Sequence, residues 1–184
     1  DLLGYHPNRN VMDAFAGVAV EGRQWNFRVS RQLRPDPLTT RLGPLEITVL
    51  EGLKRHRLVL GENESSLRFE LEFHGTLNPH EEAPHLRRRD GRITENMFRA
   101  QQMGRYSGWI EYNGQRVTLD PATCYGQRDH SWGVRPMAHQ PGEPPAVSPP
   151  WHFLAFMPLQ FAEFAVHVYL FESQAGRPVH LSAT

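Results

Sequence analysis

A period-two alternation of apolar and polar residues constrains the fold of this chain more than any other feature. Between residues 67 and 74, leucine or phenylalanine occupies every odd position, and a charged residue or histidine occupies every even position. Successive side chains of a β-strand point to opposite faces of a sheet, so this segment predicts a strand buried on one face and solvated on the other. Residues 25–29 and 45–49 follow the same pattern.

Turn sequences divide the chain into many short strands. Asn113-Gly114 stands between two alternating segments, residues 108–112 and 116–119, and suits a tight hairpin turn in which both central residues need positive φ. The only helix we expect is a short one at residues 93–102. The chain is therefore predicted to be all-β and antiparallel, folded as a barrel or a sandwich.

A proline-rich segment predicts the domain organisation. Residues 136–150 contain six prolines and no apolar period, which is typical of a linker. Strand-like sequence resumes in residues 151–157 and 163–171, and the second run is apolar on both faces, as expected of a central or doubly covered strand. We predict one β domain over residues 1–135, a linker over 136–150, and the first strands of a second, truncated β domain over 151–184.

Composition excludes several classes of protein. The 184 residues include 20 basic and 20 acidic side chains, whereas nucleic-acid binders normally carry a net positive charge. The single cysteine, Cys124, fits a reducing compartment. No apolar segment is long enough to span a membrane. We expect a soluble, cytoplasmic protein with neither a nucleic-acid partner nor a membrane span, and the sequence leaves its oligomeric state open.

Acid, imidazole, indole and guanidinium groups are concentrated in one run of nine residues, QRDHSWGVR, which begins at Gln127. If the run is a strand, Arg128, His130 and Trp132 share one face, and Asp129 and the following serine share the other. Asp129 and His130 would then form a hydrogen-bonded pair only if a bulge intervened. The run predicts the location of a site more clearly than its reaction.

Two residues of this run are candidate catalytic groups. His130 carries an imidazole that can act as an acid or a base near neutral pH; the alternative is a buried histidine bonded to a backbone carbonyl. Asp129 in an apolar pocket can act as a carboxylic acid; the alternative is a salt bridge with Arg128 or Arg135. Local sequence leaves both alternatives open.

Five residues are candidate ligand contacts. Trp132 can present its π face to a cation that develops on a ligand, and Tyr125 and Tyr106 can donate from their hydroxyl groups. The alternatives are core packing for the tryptophan and half-buried strand positions for the tyrosines. Arg128 is included from the same run. His167 interrupts an apolar strand between two valines, where a polar group needs a partner or a cavity.

Neither a metal site nor an organic cofactor is predicted. The ten histidines show no HxH or HExxH spacing, and the chain has no CxxC. The phosphate-binding motifs GxGxxG and GxxxxGK[ST] do not occur either.

The run YGQRDHSWGVR, residues 125–135, resembles the Asp-His-x-Trp-Gly signature of the AttH and carotenoid 1,2-hydratase superfamily, which is related to tocopherol cyclase. With an arginine on each side it is similar to an uncharacterised bacterial branch of that superfamily. The hairpin sequence at residues 104–110 fits the same layout. The resemblance covers the middle third of the chain, and it implies two lipocalin-like β domains with the signature near the end of the first.

The resemblance also implies a function. In these hydratases and cyclases an acid protonates an alkene, and water or a phenol then captures the carbocation. By matching position, Asp129 and His130 would transfer the proton and Trp132 would line the cavity. We expect a hydrophobic small molecule, isoprenoid, steroid or fatty, bound in a β-barrel, with cofactor-independent hydration, cyclisation or isomerisation if the protein is an enzyme. The alternative is a non-enzymatic carrier of a lipophilic ligand in which the RDHSW run is structural.

Overall fold

The computed structural model describes residues 3–89, 91–134 and 153–184, except for the side chains of residues 89 and 94. These residues form strands, turns and one 3-10 helix, Pro7–Arg9. The strand pairs whose register is defined all run antiparallel. The predicted all-β, antiparallel fold is therefore confirmed.

The chain divides into two compact units. Unit 1 comprises Asp1–Gly75 and Arg105–Gly126, and unit 2 comprises Thr76–Gly104 and Gln127–Thr184. Two strands, β10 (Arg92–Tyr112) and β12 (Tyr125–Val134), contribute residues to both units. The other strands of unit 1 are β1 (Gly4–His6), β2 (Val11–Val20), β3 (Arg23–Gln32), β4 (Arg41–Leu42), β5 (Leu45–Glu51), β6 (Arg55–Leu60), β7 (Leu67–Gly75) and β11 (Gln115–Leu119). The other strands of unit 2 are β8 (His80–Glu81), β9 (His85–Arg89), β13 (Phe153–Gln160), β14 (Ala165–Glu172) and β15 (Pro178–Ala183).

The strands form three sheets. Strands β1, β2 and β3 pair in that order, and so do β13, β14 and β15. The largest sheet has the order β11-β10-β7-β6-β5-β4, and β8, β9 and β12 also pair with β10. β14 is the central strand of its sheet, as its two apolar faces predict. None of the sheets closes into a barrel within the described residues, so the barrel alternative is not supported.

Unit 1 has an apolar core built from alternating strands. Leu67, Phe69 and Phe73 of β7 are buried. On the other face of the same strand, Glu70 forms an ion pair with Arg57 of β6. Full burial of one leucine or phenylalanine side chain contributes about 1.5–3 kcal/mol, which explains why the apolar face determines the orientation of the strand. The predicted one-sided strand at residues 67–74 is confirmed.

The Asn113-Gly114 hairpin is also confirmed. It joins β10 to β11, with Tyr112 paired to Gln115. Asn113 and Gly114 have φ angles of 48° and 76°, so both central residues occupy the left-handed region that such a turn requires.

The predicted short helix at residues 93–102 is wrong, because these residues belong to β10. Glu95, Met97, Gln101 and Met103 are all buried, and their odd-numbered spacing is the period of a strand. Pairing of β10 with β8, β9 and β12 outweighs the local helix propensity, since strand formation depends on neighbouring strands more than on local sequence.

The predicted domain boundaries at residues 135 and 150 lie outside the described residues, and so does Arg135, a predicted partner of Asp129. Strands β13 to β15 belong to the same compact unit as residues 76–104. Among the residues described above, no helix combines the length and the apolar character needed to cross a membrane.

Candidate functional site

Buried polar side chains are concentrated in unit 2. Of the eight polar or charged residues that are buried in the described part of the chain, all but His56 lie in this unit. They are Glu82, His85, Glu95, Gln101, Gln102, His167 and Ser182. Burying polar groups costs free energy unless they are paired, and clusters of buried ionisable groups occur preferentially at functional sites. Unit 2 therefore holds the candidate site.

Strands β14 and β15 separate polar from aliphatic side chains. On one face, His167 and Tyr169 of β14 are buried, and Ser182 of β15 pairs with Tyr169 and is buried too. On the opposite face, Leu170 pairs with Leu181, which is 57% exposed. The face that packs inside unit 2 is thus the polar one.

The QRDHSWGVR run lies mostly on β12 and alternates as predicted. Asp129 contacts Arg99 of β10, whereas the rings of His130 and Trp132 lie 5.4 Å apart. Phe98, next to Arg99 on β10, stacks on Trp132 at 5.9 Å. Adjacent residues of a strand point to opposite faces, so Asp129 and the aromatic pair lie on opposite faces of the sheet. Among the described residues Asp129 forms an ion pair with Arg99, which neither sequence interpretation named.

Asp129, Arg99, Glu82 and His167 form a chain of ionisable groups, here called the polar cluster. Nε of Arg99 lies 3.4 Å from Oδ2 of Asp129, and its Nη1 lies 3.6 Å from Oε2 of Glu82. Oε1 of Glu82 lies 2.9 Å from Nε2 of His167. The side chains of Glu82 and His167 are each 3% exposed, whereas that of Asp129 is 36% exposed. The polar cluster leads from a half-exposed carboxyl group to a buried imidazole.

Aromatic rings hold the guanidinium of the polar cluster in place. The terminal carbon of Arg99 lies 4.6 Å from the ring centre of Tyr169 and 5.6 Å from that of Phe156. Guanidinium groups are attracted to the faces of aromatic rings, so these contacts orient Arg99 toward both carboxyl groups. Burial raises the pKa of Tyr169, and a hydrogen bond with Arg99 offsets part of that rise. Its phenol therefore stays protonated near neutral pH.

The polar cluster has unequal numbers of positive and negative groups. The carboxyl groups of Asp129 and Glu82 share one guanidinium, that of Arg99. With His167 neutral and both carboxyl groups ionised, the four groups carry one negative charge, and burial of net charge is costly. One additional proton, on the imidazole or on a carboxyl group, would make the four groups neutral together.

A second group of ionisable side chains lies in unit 2. The rings of His85 and His180 stack at 4.9 Å, and Nδ1 of His85 lies 3.4 Å from Oε1 of Glu95. Nε of Arg87 donates to Nε2 of His85 at 2.9 Å. Burial lowers the pKa of His85 to about 4, and the charge of Arg87 contributes to this shift. Burial also lowers the pKa of His180, so both rings are neutral at pH 7.

A cavity of about 40 Å³ adjoins the polar cluster. Its lining residues come from β8, β10, β14 and the segments beside them, and they are Leu77, Asn78, His80, Gln101, Met103, Ala165, His167 and Thr184. Nδ1 of His167 and Nε2 of Gln101 are buried and have no hydrogen-bond partner within the described part of the protein. None of the described residues of the QRDHSWGVR run, 127–134, lines this cavity.

Four other predicted site residues have different surroundings. In unit 1, Tyr106 packs 5.3 Å from Phe73 in the core, and burial raises its pKa. Tyr125 is 50% exposed, with the guanidinium carbon of Arg105 lying 3.7 Å from its ring centre. In unit 2, burial lowers the pKa of His130, with a contribution from Arg128. Burial also lowers the pKa of Arg128, against the opposing effect of Asp129.

Sequence interpretation missed Glu82, Arg99 and Gln101. The expected helix at residues 93–102 concealed the last two, because only a strand places positions 95, 97, 99, 101 and 103 on one face. Charged and amide side chains between buried methionines on that face would have indicated a polar interior. Glu82 gave no comparable signal, since it precedes β9 in an irregular segment.

The described residues contain no group of three or more His, Cys, Asp or Glu side chains arranged to hold a metal ion.

Comparison with known proteins identifies a family. The family model described as "Family of unknown function (DUF8625)" matches residues 2–184, and the chain belongs to that family. No curated protein and no solved structure matches the chain.

Proposed function

We propose that this member of the family binds a hydrophobic small molecule, isoprenoid, steroid or fatty, at the polar cluster of unit 2, and transfers a proton to or from it without an organic cofactor. The observation that carries the proposal is the chain of ionisable groups from half-exposed Asp129 to buried His167. A carboxyl group that solvent and ligand can reach, coupled to a buried proton acceptor, suits acid-base chemistry.

Apolar surface beside the polar cluster supports a lipophilic ligand. Phe156 is 36% exposed, and its ring lies 4.9 Å from that of His167 and 5.6 Å from the guanidinium carbon of Arg99. Leu154, two residues away on the same strand face, is 51% exposed. Apolar surface with a few polar groups at one place is typical of small-molecule sites.

The charge of the polar cluster supports protonation of an alkene. With an additional proton on Asp129 itself, the cluster is neutral and can deliver that proton to a carbon-carbon double bond. The ligand then carries a positive charge, and the cluster regains its negative charge. Fixed opposite charge beside a developing cation lowers the barrier to forming it, and the faces of Phe156 and Tyr169 contribute in the same direction. Hydration, cyclisation and isomerisation all begin with this step.

The resemblance of residues 125–135 to the AttH and carotenoid 1,2-hydratase signature supports the same chemistry. By that resemblance Asp129 is the acid. His130 lies with Trp132 on the opposite face of β12, and its lowered pKa makes it a hydrogen-bond acceptor at pH 7. We therefore assign His130 and Trp132 to ligand contact or to support of the strand, and we propose a cytoplasmic location.

Ligand binding is tested by calorimetric titration of the protein with retinol, progesterone and oleic acid. At least one of these probes is expected to bind, and Leu154→Asp, which places a charge on the apolar surface, is expected to weaken that binding at least tenfold. The matched control is Leu50→Asp on β5 of unit 1, where Leu50 is 44% exposed. Failure of all three probes to bind would overturn the proposal.

Proton transfer is tested by incubating the protein in D2O with lycopene, squalene or linoleic acid and measuring deuterium in the recovered lipid. Deuterium uptake is expected with at least one of them. Asp129→Asn is expected to abolish the uptake while retaining ligand binding. Uptake that is equal in the variant and the wild-type protein would remove Asp129 from the reaction.

A non-enzymatic carrier is the second candidate function. It is favoured by the contacts of Arg99, which joins Asp129 of β12, Glu82 and Tyr169 of β14 and so cross-links three parts of unit 2. In a carrier these contacts serve stability alone. Binding of a probe without deuterium uptake from any lipid would favour the carrier over the enzyme.

A further inference from the structure

The cavity beside His167 indicates which polar group the ligand carries. We propose that the ligand is an alcohol and that its hydroxyl group binds in this cavity, between Nδ1 of His167 and Nε2 of Gln101. The inference rests on the proposed function and adds to it the chemical class of the ligand.

The partner of His167 determines what its free nitrogen can accept. Nε2 of His167 lies 2.9 Å from Oε1 of Glu82. An ionised carboxyl group only accepts hydrogen bonds, so the proton of the neutral imidazole is placed on Nε2. Nδ1 is then an acceptor, and it is buried without a partner among the described residues. A ligand group at this position must donate a hydrogen bond.

Gln101 requires the opposite, a ligand group that accepts a hydrogen bond. Its Oε1 accepts a hydrogen bond from Nε2 of Gln127 at 2.5 Å, which fixes the orientation of its amide group. Nε2 of Gln101 is a donor, and it is also buried without a partner in the described part of the chain. Because Gln101 and His167 line the same cavity, the group that satisfies both must accept one hydrogen bond and donate another. A hydroxyl group does both.

The size and the remaining lining of the cavity fit the end of an aliphatic alcohol. About 10–15 Å³ of such space is enough to hold one water molecule, so a cavity of about 40 Å³ has room for a hydroxyl group and the carbon that bears it. Leu77, Met103 and Ala165 contribute apolar lining, and Leu77 is 48% exposed. Phe164 precedes Ala165, is 58% exposed and stacks on Phe161 at 4.7 Å. These residues offer apolar surface for the chain that follows the hydroxyl group.

The same two polar atoms select against other head groups. A hydrocarbon leaves both of them unpaired, and each buried group then lacks the hydrogen bond that it would make in water. A carboxylate places an acceptor oxygen against Nδ1, which is itself an acceptor. It also brings a negative charge toward Glu82, whose Oε1 lies 2.9 Å from Nε2 of His167.

The test compares three ligands that share one carbon skeleton: farnesol, farnesene and farnesoic acid. Each is titrated calorimetrically into the wild-type protein. Farnesol is expected to bind at least tenfold more tightly than either of the others. In Gln101→Leu the preference of farnesol over farnesene is expected to fall to less than threefold. Gln115→Leu, an exposed position on β11 of unit 1, is the control and is expected to keep the full preference.

The ligand series needs no variant, so the test remains valid even if Gln101→Leu fails to fold. Equal affinity for farnesol and farnesene would overturn the inference, and it is the result expected if water alone occupies the cavity. Tighter binding of farnesoic acid would also overturn it. If progesterone or oleic acid binds and the farnesol preference is missing, the proposed function stands and the alcohol assignment is wrong. If no lipid binds at all, both are wrong.

Discussion

Replacing Glu82 by glutamine tests whether the polar cluster is electrostatically coupled. The substitution keeps the shape of the side chain and removes its charge, in a residue whose side chain is 3% exposed. Two unit charges 3.6 Å apart, the separation of Glu82 Oε2 and Arg99 Nη1, interact by about 5 kcal/mol at an effective dielectric constant of about 20. Relief of the desolvation of Glu82 offsets part of that energy. We expect Glu82→Gln to reduce the free energy of unfolding by about 3 kcal/mol.

Asp129→Asn provides the comparison within the same cluster. Asp129 lies 3.4 Å from Nε of Arg99, but its side chain is 36% exposed. Solvent screening reduces the energy of such a pair to about 1 kcal/mol or less. The two substitutions remove similar charges at similar distances from Arg99, and they differ in burial and in the contact that Glu82 makes with His167.

The assay is equilibrium unfolding in urea, followed by circular dichroism, with Glu81→Gln as the matched control. Glu81 is exposed and adjoins Glu82, so its substitution is expected to change stability by less than about 0.5 kcal/mol. A loss in Glu82→Gln no larger than the loss in Asp129→Asn would refute the reasoning. It would mean that the interior of unit 2 screens charge as well as its surface does.

Three further predictions concern a backbone position, a titrating group and the arginine of the cluster. Gly133→Ala should destabilise the protein by more than about 2 kcal/mol in the urea assay, since Gly133 has φ +123° and a Cβ atom there would lie 2.1 Å from the carbonyl oxygen of Asn96. The control is Gly176→Ala, at φ +70° with open space around it, which should cost only about 1–2 kcal/mol. Equal losses in the two variants would contradict a steric role for Gly133. The pKa of His85, about 4, lies below the ordinary value of 6.5, so the unfolded chain binds more protons between these pH values and stability should fall as pH decreases through this window. His85→Phe should make the free energy of unfolding less dependent on pH in urea titrations from pH 4 to pH 7. An unchanged dependence would exclude His85 as its source. Arg99→Lys keeps the positive charge, but a lysine lacks the planar fork that contacts both carboxyl groups, so the melting temperature should fall. An unchanged melting temperature would show that stability depends on only one of the two contacts.

The sequence predicted the strands well where one face is apolar and the other charged. At residues 67–74 the burial of leucine and phenylalanine decides both the element and its orientation, and this information is local. The Asn113-Gly114 turn is local in the same sense, because the φ angles of two residues determine it. The helix at residues 93–102 was wrong because pairing with β8, β9 and β12 decides that segment, and none of those contacts is local.

The candidate site could be predicted only in part for the same reason. The alternation of the RDHSW run separated Asp129 from His130, as the structure does. The position of His167 in an apolar strand required a partner or a cavity, and Glu82 is such a partner. The identity of that partner depends on a contact between residues 82 and 167, which are 85 positions apart. Arg99, which connects Glu82 to Asp129, lay in the segment that we expected to be helical.

The most direct test of a ligand at the polar cluster is nuclear magnetic resonance of the histidine ring nitrogens. Protein with nitrogen-15 in its histidines is titrated with whichever of retinol, progesterone or oleic acid binds most tightly in calorimetry. Binding at the polar cluster should shift the ring signals of His167 and leave those of His6, an exposed residue of unit 1, unchanged. Saturable binding that leaves the His167 signals unchanged would contradict it.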